Sequence, residues 1–423
     1  MDLAWLSLAA LIAVIVVSCT TSVNPGLVAI TLAWGLGVYV APAMGHTIGA
    51  KGVSAGFPSD LFLTLVGITF FFAQAQANGT LGVLAGWAVR ACRGRAALLP
   101  LAFFLLTFVL ATLGAGNIAA AALLAPPAMA AARRANIPAG LMAVLVAHGA
   151  IAGALSPIAP TGILAGGLME RMGLGGHGWT LFGHNLLANG LAGLLGYVVF
   201  GGLRLLRTAD PVASPPEEVR PAVRVGRAHG VTLCLILLLV VGALLFQVQV
   251  GMAAFAAGVL LGVVRLADEG EAFRLVPWST IVMVCGVTVL TALLEKTGGL
   301  DLFTSLTARV ATRESITGVI AGVTGLLSVY SSTAGVVLPA LLPTAAGLSQ
   351  KLGGADALAI AYSINVGGHL VDVSPLSTIG ALCVAAIPDA DLRRRVVNHL
   401  LFWGLGMALT GAVYCWVVFT PRT

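Results

Sequence analysis

Four short runs rich in hydroxyl, amide, glycine and proline residues interrupt an otherwise apolar chain. Gly114-Ala115-Gly116-Asn117 and Ser331-Ser332-Thr333 each break a long apolar segment near its middle. Ser156-Pro157 followed by Pro160-Thr161-Gly162, and Ser374-Pro375 followed by Ser377-Thr378-Ile379-Gly380, break two more. Proline removes a backbone donor and frees the carbonyl a turn earlier. Such breaks expose carbonyl and hydroxyl oxygens, hard ligands for a small cation such as Na+, while half-helices starting after a break turn amide N–H groups toward an anion. A carboxylate beside a cation is the chemistry these atoms suit, and it needs no buried Arg or Lys. Asn117, Thr161, Ser331, Ser332, Thr333, Ser377 and Thr378 are the candidate substrate contacts. Gly114, Gly116, Ser156, Ser374, Asp372 and His369 are the candidates for cation binding or coupling, with a Na+ site expected among the same residues.

His369 and Asp372 are three apart and share one helical face just before the second Ser-Pro. Ionisable groups inside a span are functional hypotheses by default. The pair carries a coupling proton or helps bind a cation; the alternative puts Asp372 at a wet rim and lets His369 cap a freed carbonyl. His148 reads as a packing residue.

These residues need a membrane-embedded frame. The chain has 423 residues, 59% hydrophobic and only 9% charged, with a mean hydropathy of +1.01. A water-soluble domain carries roughly a quarter charged residues, and a disordered one lacks this much apolar area. Apolar runs long enough to cross a bilayer recur along the sequence, without the alternation of a barrel strand, so helices must satisfy the backbone. The six cysteines are scattered singly and mark neither a disulfide framework nor a metal site. Met1-Asp2 before the first apolar run argues against a secretory signal.

The spans read as residues 3–19, 26–44, 59–77, 139–172, 179–203, 231–248, 250–265, 278–295, 356–388 and 396–418. Segments 96–132 and 316–349 read as re-entrant hairpins, since broken backbone at membrane depth is tolerated only where it is buried in protein or lines a watery cavity. The expected fold is therefore an all-α polytopic membrane protein with about ten transmembrane helices, two re-entrant hairpins and two unwound helices. Fifteen of the 22 basic residues fall on one side of this arrangement, which marks that side as cytoplasmic and places both termini outside the cytoplasm of an inner-membrane protein. The net charge of +6 then reflects topology and implies no nucleic-acid partner.

A Pro- and Glu-bearing linker, 208–228, divides the chain into 1–207 and 229–423. The halves correspond at an offset of about 216–219 residues: Pro58 with Pro277, Gly67-Ile68-Thr69 with Gly286-Val287-Thr288, Pro127 with Pro343, and Ser156-Pro157 with Ser374-Pro375. An odd number of spans per half makes this an inverted-topology repeat, a pattern of secondary transporters.

The paired hairpins and Ser-Pro breaks resemble the divalent anion/sodium symporter group of the ion transporter superfamily. Val329-Tyr330-Ser331-Ser332-Thr333-Ala334-Gly335 and Asn365-Val366-Gly367-Gly368-His369 through Ser374-Pro375-Leu376-Ser377-Thr378 look closest to dicarboxylate carriers of the MatC type. The resemblance implies a malonate or C4-dicarboxylate carrier coupled to Na+ or H+, an elevator-type movement and a homodimeric scaffold. Each hairpin tip of the sodium symporters carries Ser-Asn-Thr; here Gly116-Asn117-Ile118 and Ser331-Ser332-Thr333 depart from it. An inorganic-anion or arsenite carrier, or the membrane subunit of a binding-protein-dependent system, is the alternative within transporters. No enzyme is expected: HExxH is absent, and Asp372 has no counterpart in the first half. No cofactor is implied beyond the coupling ion.

Overall fold

A computed structural model describes residues 2–21, 23–91, 95–207, 226–246 and 248–420. Most of the expected linker, 208–225, lies outside these residues. Among the described residues the regular structure is helical.

The first half comprises α1 (Leu3–Thr20), α2 (Pro25–Gly35), α3 (Ala41–Ala43), α4 (Gly49–Ser54), α5 (Ser59–Ala77), α6 (Thr80–Ala91), α7 (Leu98–Leu110), α8 (Gly116–Arg134), α9 (Ala139–Ala154), α10 (Pro160–Arg171), α11 (Gly178–Val199) and α12 (Gly202–Arg207). The second comprises α13 (Arg227–Leu245), α14 (Val250–Val263), α15 (Glu269–Leu275), α16 (Trp278–Thr297), α17 (Gly299–Ala308), α18 (Ile316–Tyr330), α19 (Leu338–Leu341), α20 (Ala345–Lys351), α21 (Ala357–Val371), α22 (Thr378–Ala385) and α23 (Ala390–Phe419).

Among the described residues six runs are long and apolar enough to cross a membrane: Leu3–Thr20, Pro25–Ala43, Ser59–Ala77, Leu98–Arg134, Trp278–Thr297 and Ala390–Phe419. Shorter apolar helices, including α9, α14, α18 and α21, accompany them. Val199, Val263, Phe402 and Leu409 are each more than half exposed, whereas Asn185, Asn189, Thr324 and Asn365 are buried. Apolar outside and polar inside is the distribution that lipid imposes. The protein is an all-α polytopic membrane protein.

Each segment expected to be broken is broken. Residues 96–132 form α7 and α8, separated by a π turn at Ala111–Ala115; the two arms pack on each other and on α9. Residues 316–349 form α18, two extended residues, a π turn at Thr333–Val337, then α19 and α20 around Pro339 and Pro343, with both arms against α21. Segment 139–172 is α9 and α10, and segment 356–388 is α21 and α22. Short helices α4, α6, α15 and α17 lie between the expected spans.

Helices from opposite halves cross at glycines. Gly26 of α2 lies against the backbone of Val282 and Met283, and Gly286 of α16 against the backbone of Gly26. Gly67 of α5 meets the Gly251 carbonyl of α14, and Gly251 meets Thr64. Small residues let helix backbones approach this closely where lipid supplies no hydrophobic drive. Side chains at the helix ends add to these contacts: Asn24 Nδ2, before α2, donates to the Ser279 carbonyl of α16 (2.8 Å), and Asn78 Nδ2, after α5, donates to Thr232 Oγ1 of α13 (2.8 Å) and to the Leu266 carbonyl beyond α14 (3.3 Å). In each half, too, the helix before the Ser-Pro break packs on the first arm of the broken segment: α9 on α7, and α21 on α18.

Candidate functional site

The first tip is shaped by glycine. Gly114 (φ 119°) and Gly116 (φ 79°, ψ 163°) hold backbone that L side chains rarely adopt. The Phe72 ring packs over Gly114, and the Pro160 ring lies 3.3 Å from where a Gly116 side chain would begin. Gly116→Ala is expected to cost about 1–3 kcal/mol through forced backbone strain, seen as a lower melting temperature of the detergent-solubilised protein. An unchanged melt would show that the tip relaxes freely.

Both Ser-Pro breaks use the same turn. Ser156 Oγ accepts from the Ile158 N–H (3.5 Å), and Ser374 Oγ accepts from the Leu376 N–H (3.3 Å). Gly162 packs against the Ser156 carbonyl and Gly380 against the Ser374 carbonyl. The chain thereby restarts as α10 at Pro160 and as α22 at Thr378.

Two cavities flank α16. The first, about 170 Å³, is lined by Gly116, Asn117, Pro160 and Thr161, with Thr69 of α5 and Thr280 of α16 opposite. Thr161 Oγ1 donates to Asn117 Oδ1 at 3.5 Å. The N-terminal turns of α8 and α10 both face this space, and their unpaired N–H groups and dipoles favour an anion. Its remaining wall is apolar, with Leu65, Phe72, Leu164 and Ile281 among the lining residues.

The second cavity, about 280 Å³, is lined by Ser331, Ser332, Ser377 and Thr378, with Ser18 of α1, Asn24 and Ser279. Ser331 and Ser332 are extended, and Ser332 Oγ accepts from the Gly335 N–H (3.1 Å), capping the turn that follows. Ser331 Oγ and Ser18 Oγ are 2.9 Å apart. The Ser377 hydroxyl donates to the Asp372 carboxylate and lies 3.3 Å from the Ser331 carbonyl.

Behind this cavity Asp372 is buried, with Thr333 also within hydrogen-bonding reach of its carboxylate. Thr333 Oγ1 is 3.3 Å from the Gly368 carbonyl, so carboxylate, hydroxyl and carbonyl oxygens gather at the tip. A buried carboxylate whose partners among the described residues are hydroxyls keeps a charge that a cation or proton would offset.

The candidate residues therefore separate by half. Gly116, Asn117 and Thr161 share the first cavity; Ser331, Ser332, Ser377 and Thr378 share the second. Thr333 and Asp372 stand behind the second. Ser156 and Ser374 shape the breaks, and Ser374 Oγ also donates to the Val329 carbonyl (2.8 Å). His369 is fully buried, its Nδ1 2.8 Å from the Asn365 carbonyl, and neither it nor Gly114 lines either of these two cavities. Sequence reasoning missed Ser18, Thr69, Ser279 and Thr280, which come from unbroken helices, and Asn24, which caps the start of α2. A clue was available in Pro58 and Pro277, which open α5 and α16 in equivalent ways.

This is a helical membrane protein with two cavities at helix breaks, one mainly apolar around Asn117 and Thr161, the other open and rich in hydroxyl side chains. Residues 1–154 match the family model described as "Dicarboxylate carrier protein MatC N-terminus", which supports a dicarboxylate carrier of the MatC type. The matched stretch runs from α1 to the last residue of α9 and includes the first tip. No curated protein matches the chain.

Proposed function

We propose that the protein is a secondary active carrier of a small dicarboxylate, malonate or a C4 acid, driven by a cation gradient across the inner membrane. The observation that carries this reading is the convergence of helix N-termini and polar side chains on each cavity: α8 and α10 with Asn117 and Thr161, and α22 with Ser332, Ser377 and Thr378. Neutral amide and hydroxyl donors bind a carboxylate without trapping it as a buried Arg or Lys would. Asp372 supplies the negative charge at which a coupling Na+ or proton is held.

Equivalent crossings at Gly26–Gly286 and Gly251–Gly67, and equivalent turns at Ser156 and Ser374, support an inverted repeat of 1–207 and 229–423. On this reading α1–α6 and α13–α17 form a scaffold that pairs as a homodimer. The tips and broken helices move within it as an elevator, and both termini lie outside the cytoplasm.

Uptake of labelled malonate and succinate into proteoliposomes, under a Na+ or pH gradient imposed separately, tests the reading. Ser332→Ala and Thr378→Ala are each expected to depress uptake about tenfold, as the loss of about 1.4 kcal/mol would, with the protein still monodisperse. Wild-type uptake by both variants would remove those residues from the site. Absence of gradient-driven uptake in the unmutated protein would overturn the function.

A further inference from the structure

A line of buried, hydrogen-bonded side chains runs from the second half of the chain to the first break. Trp403 Nε1 of α23 donates to His148 Nε2 of α9 at 2.9 Å. His148 Nδ1 is 2.9 Å from Asn189 Oδ1 of α11. Asn189 Nδ2 donates to Asn185 Oδ1 (3.0 Å) and to the Asn185 carbonyl (3.1 Å). Asn185 Nδ2 donates to the carbonyls of Ile151 (2.8 Å) and Ala152 (3.3 Å) in the last turn of α9.

Only one proton arrangement satisfies this line. Indole N–H is a pure donor, so His148 Nε2 must be the bare nitrogen and Nδ1 the protonated one. Asn189 then accepts at Oδ1, which orients its amide, and the two terminal carbonyls can only accept, which orients Asn185. His148 is thus a neutral imidazole of fixed tautomer. His148, Asn185 and Asn189 have no exposed surface, and Trp403 is 9% exposed. Aligned bonds in a low dielectric polarise and strengthen one another.

The far end of the line meets the break. The last carbonyls of a helix lack intrahelical partners, and those of Ile151 and Ala152 stand just before the unwound stretch Leu155–Ala159 that carries the chain to Pro160 and Thr161. The near end belongs to the other half, where α23 packs on α21, the helix that carries Asp372 at its end.

We propose that Asn185 is a positioning residue of the carrier. It fixes the end of α9, from which the chain runs on to Pro160 and Thr161 in the first cavity, and, through Asn189, His148 and Trp403, ties that end to α23, so the two broken helices travel as one body. This rests on the carrier reading above.

The test compares Asn185→Leu, Trp403→Phe and the double variant in proteoliposomes, with uptake normalised to monodisperse protein. Expected are a KM for the transported dicarboxylate raised about tenfold in Asn185→Leu, the equivalent of about 1.4 kcal/mol, and a smaller rise in Trp403→Phe, which keeps an aromatic ring but removes the donor N–H together with part of the indole. The double variant should resemble Asn185→Leu alone, because one line is cut twice. Hydrogen exchange should quicken at residues 152–161 in both single variants, a measurement that needs no transport. Unchanged KM and exchange in Trp403→Phe, or strictly additive effects, would overturn the proposal. Faster exchange at 152–161 in a protein whose unmutated form moves no dicarboxylate would sink the carrier reading while keeping the line's hold on the break; that residue would then position something other than a transport site.

Discussion

Gly162→Ala is expected to unfold or inactivate the protein, while Gly166→Ala, the same change one turn along α10, leaves it intact or firmer. A β-carbon on Gly162 would drive into the Ser156 carbonyl, which cannot retreat because it accepts the Ala159 N–H at 2.9 Å and closes the turn. Overpacking against fixed backbone costs about 3 kcal/mol or more. A β-carbon on Gly166 meets nothing within 4 Å, so Ala there contributes up to about 1 kcal/mol of helix propensity. Gly380→Ala repeats the experiment in the second half, where the collision is with the Val373 and Ser374 carbonyls. Melting temperature and yield of monodisperse protein are the measurements. Equal stability of Gly162→Ala and Gly166→Ala would mean the break has no fixed geometry.

Asp372→Asn is expected to abolish the ion dependence of uptake and lower its rate at least tenfold, with little effect on folding. Asn keeps the shape and still accepts from Ser377 and Thr333, so the packing of the break survives. What it removes is the buried negative charge, whose attraction for a cation is magnified where water is scarce. Asp372→Leu would differ, taking from Ser377 its nearest acceptor and leaving only the longer contact to the Ser331 carbonyl, a weakening of a buried hydrogen bond worth about 1 kcal/mol. Uptake by Asp372→Asn at the wild-type rate and with the wild-type ion response would take this carboxylate out of coupling.

The breaks were legible in the sequence because they depend on residue types with one physical meaning each. Proline cannot donate, glycine alone tolerates φ near 119°, and both stand out against an apolar background. The segments now seen as α5, α16, α9–α10 and α21–α22 followed from that contrast. Short helices such as α4 and α17 did not, since 6 or 10 residues with a few charges look like loop. The partners of the tips were hidden for a different reason. Ser18, Thr69 and Ser279 lie on continuous helices, where a lone hydroxyl usually bonds the carbonyl a turn back, as Thr69 does with Leu65 at 2.7 Å. The sequence read His148 as a packing residue and His369 as a coupling candidate, but it could not show that His148 is satisfied at both nitrogens while His369 Nε2 has no hydrogen-bond partner among the described residues. That difference lies in which helices meet, and periodicity is silent on it.

The crossings at Gly26 and Gly67 also set a timetable for biosynthesis. Gly26 enters the membrane early, but its partner Gly286 is synthesised 260 residues later. At about 5–20 residues per second the wait is on the order of tens of seconds. For that interval the glycine face of α2 and the matching face of α5 are open to lipid, to each other or to a second nascent chain. The half made first is therefore finished by the half made last, and the glycine faces of α2 and α5 wait in the membrane until it arrives.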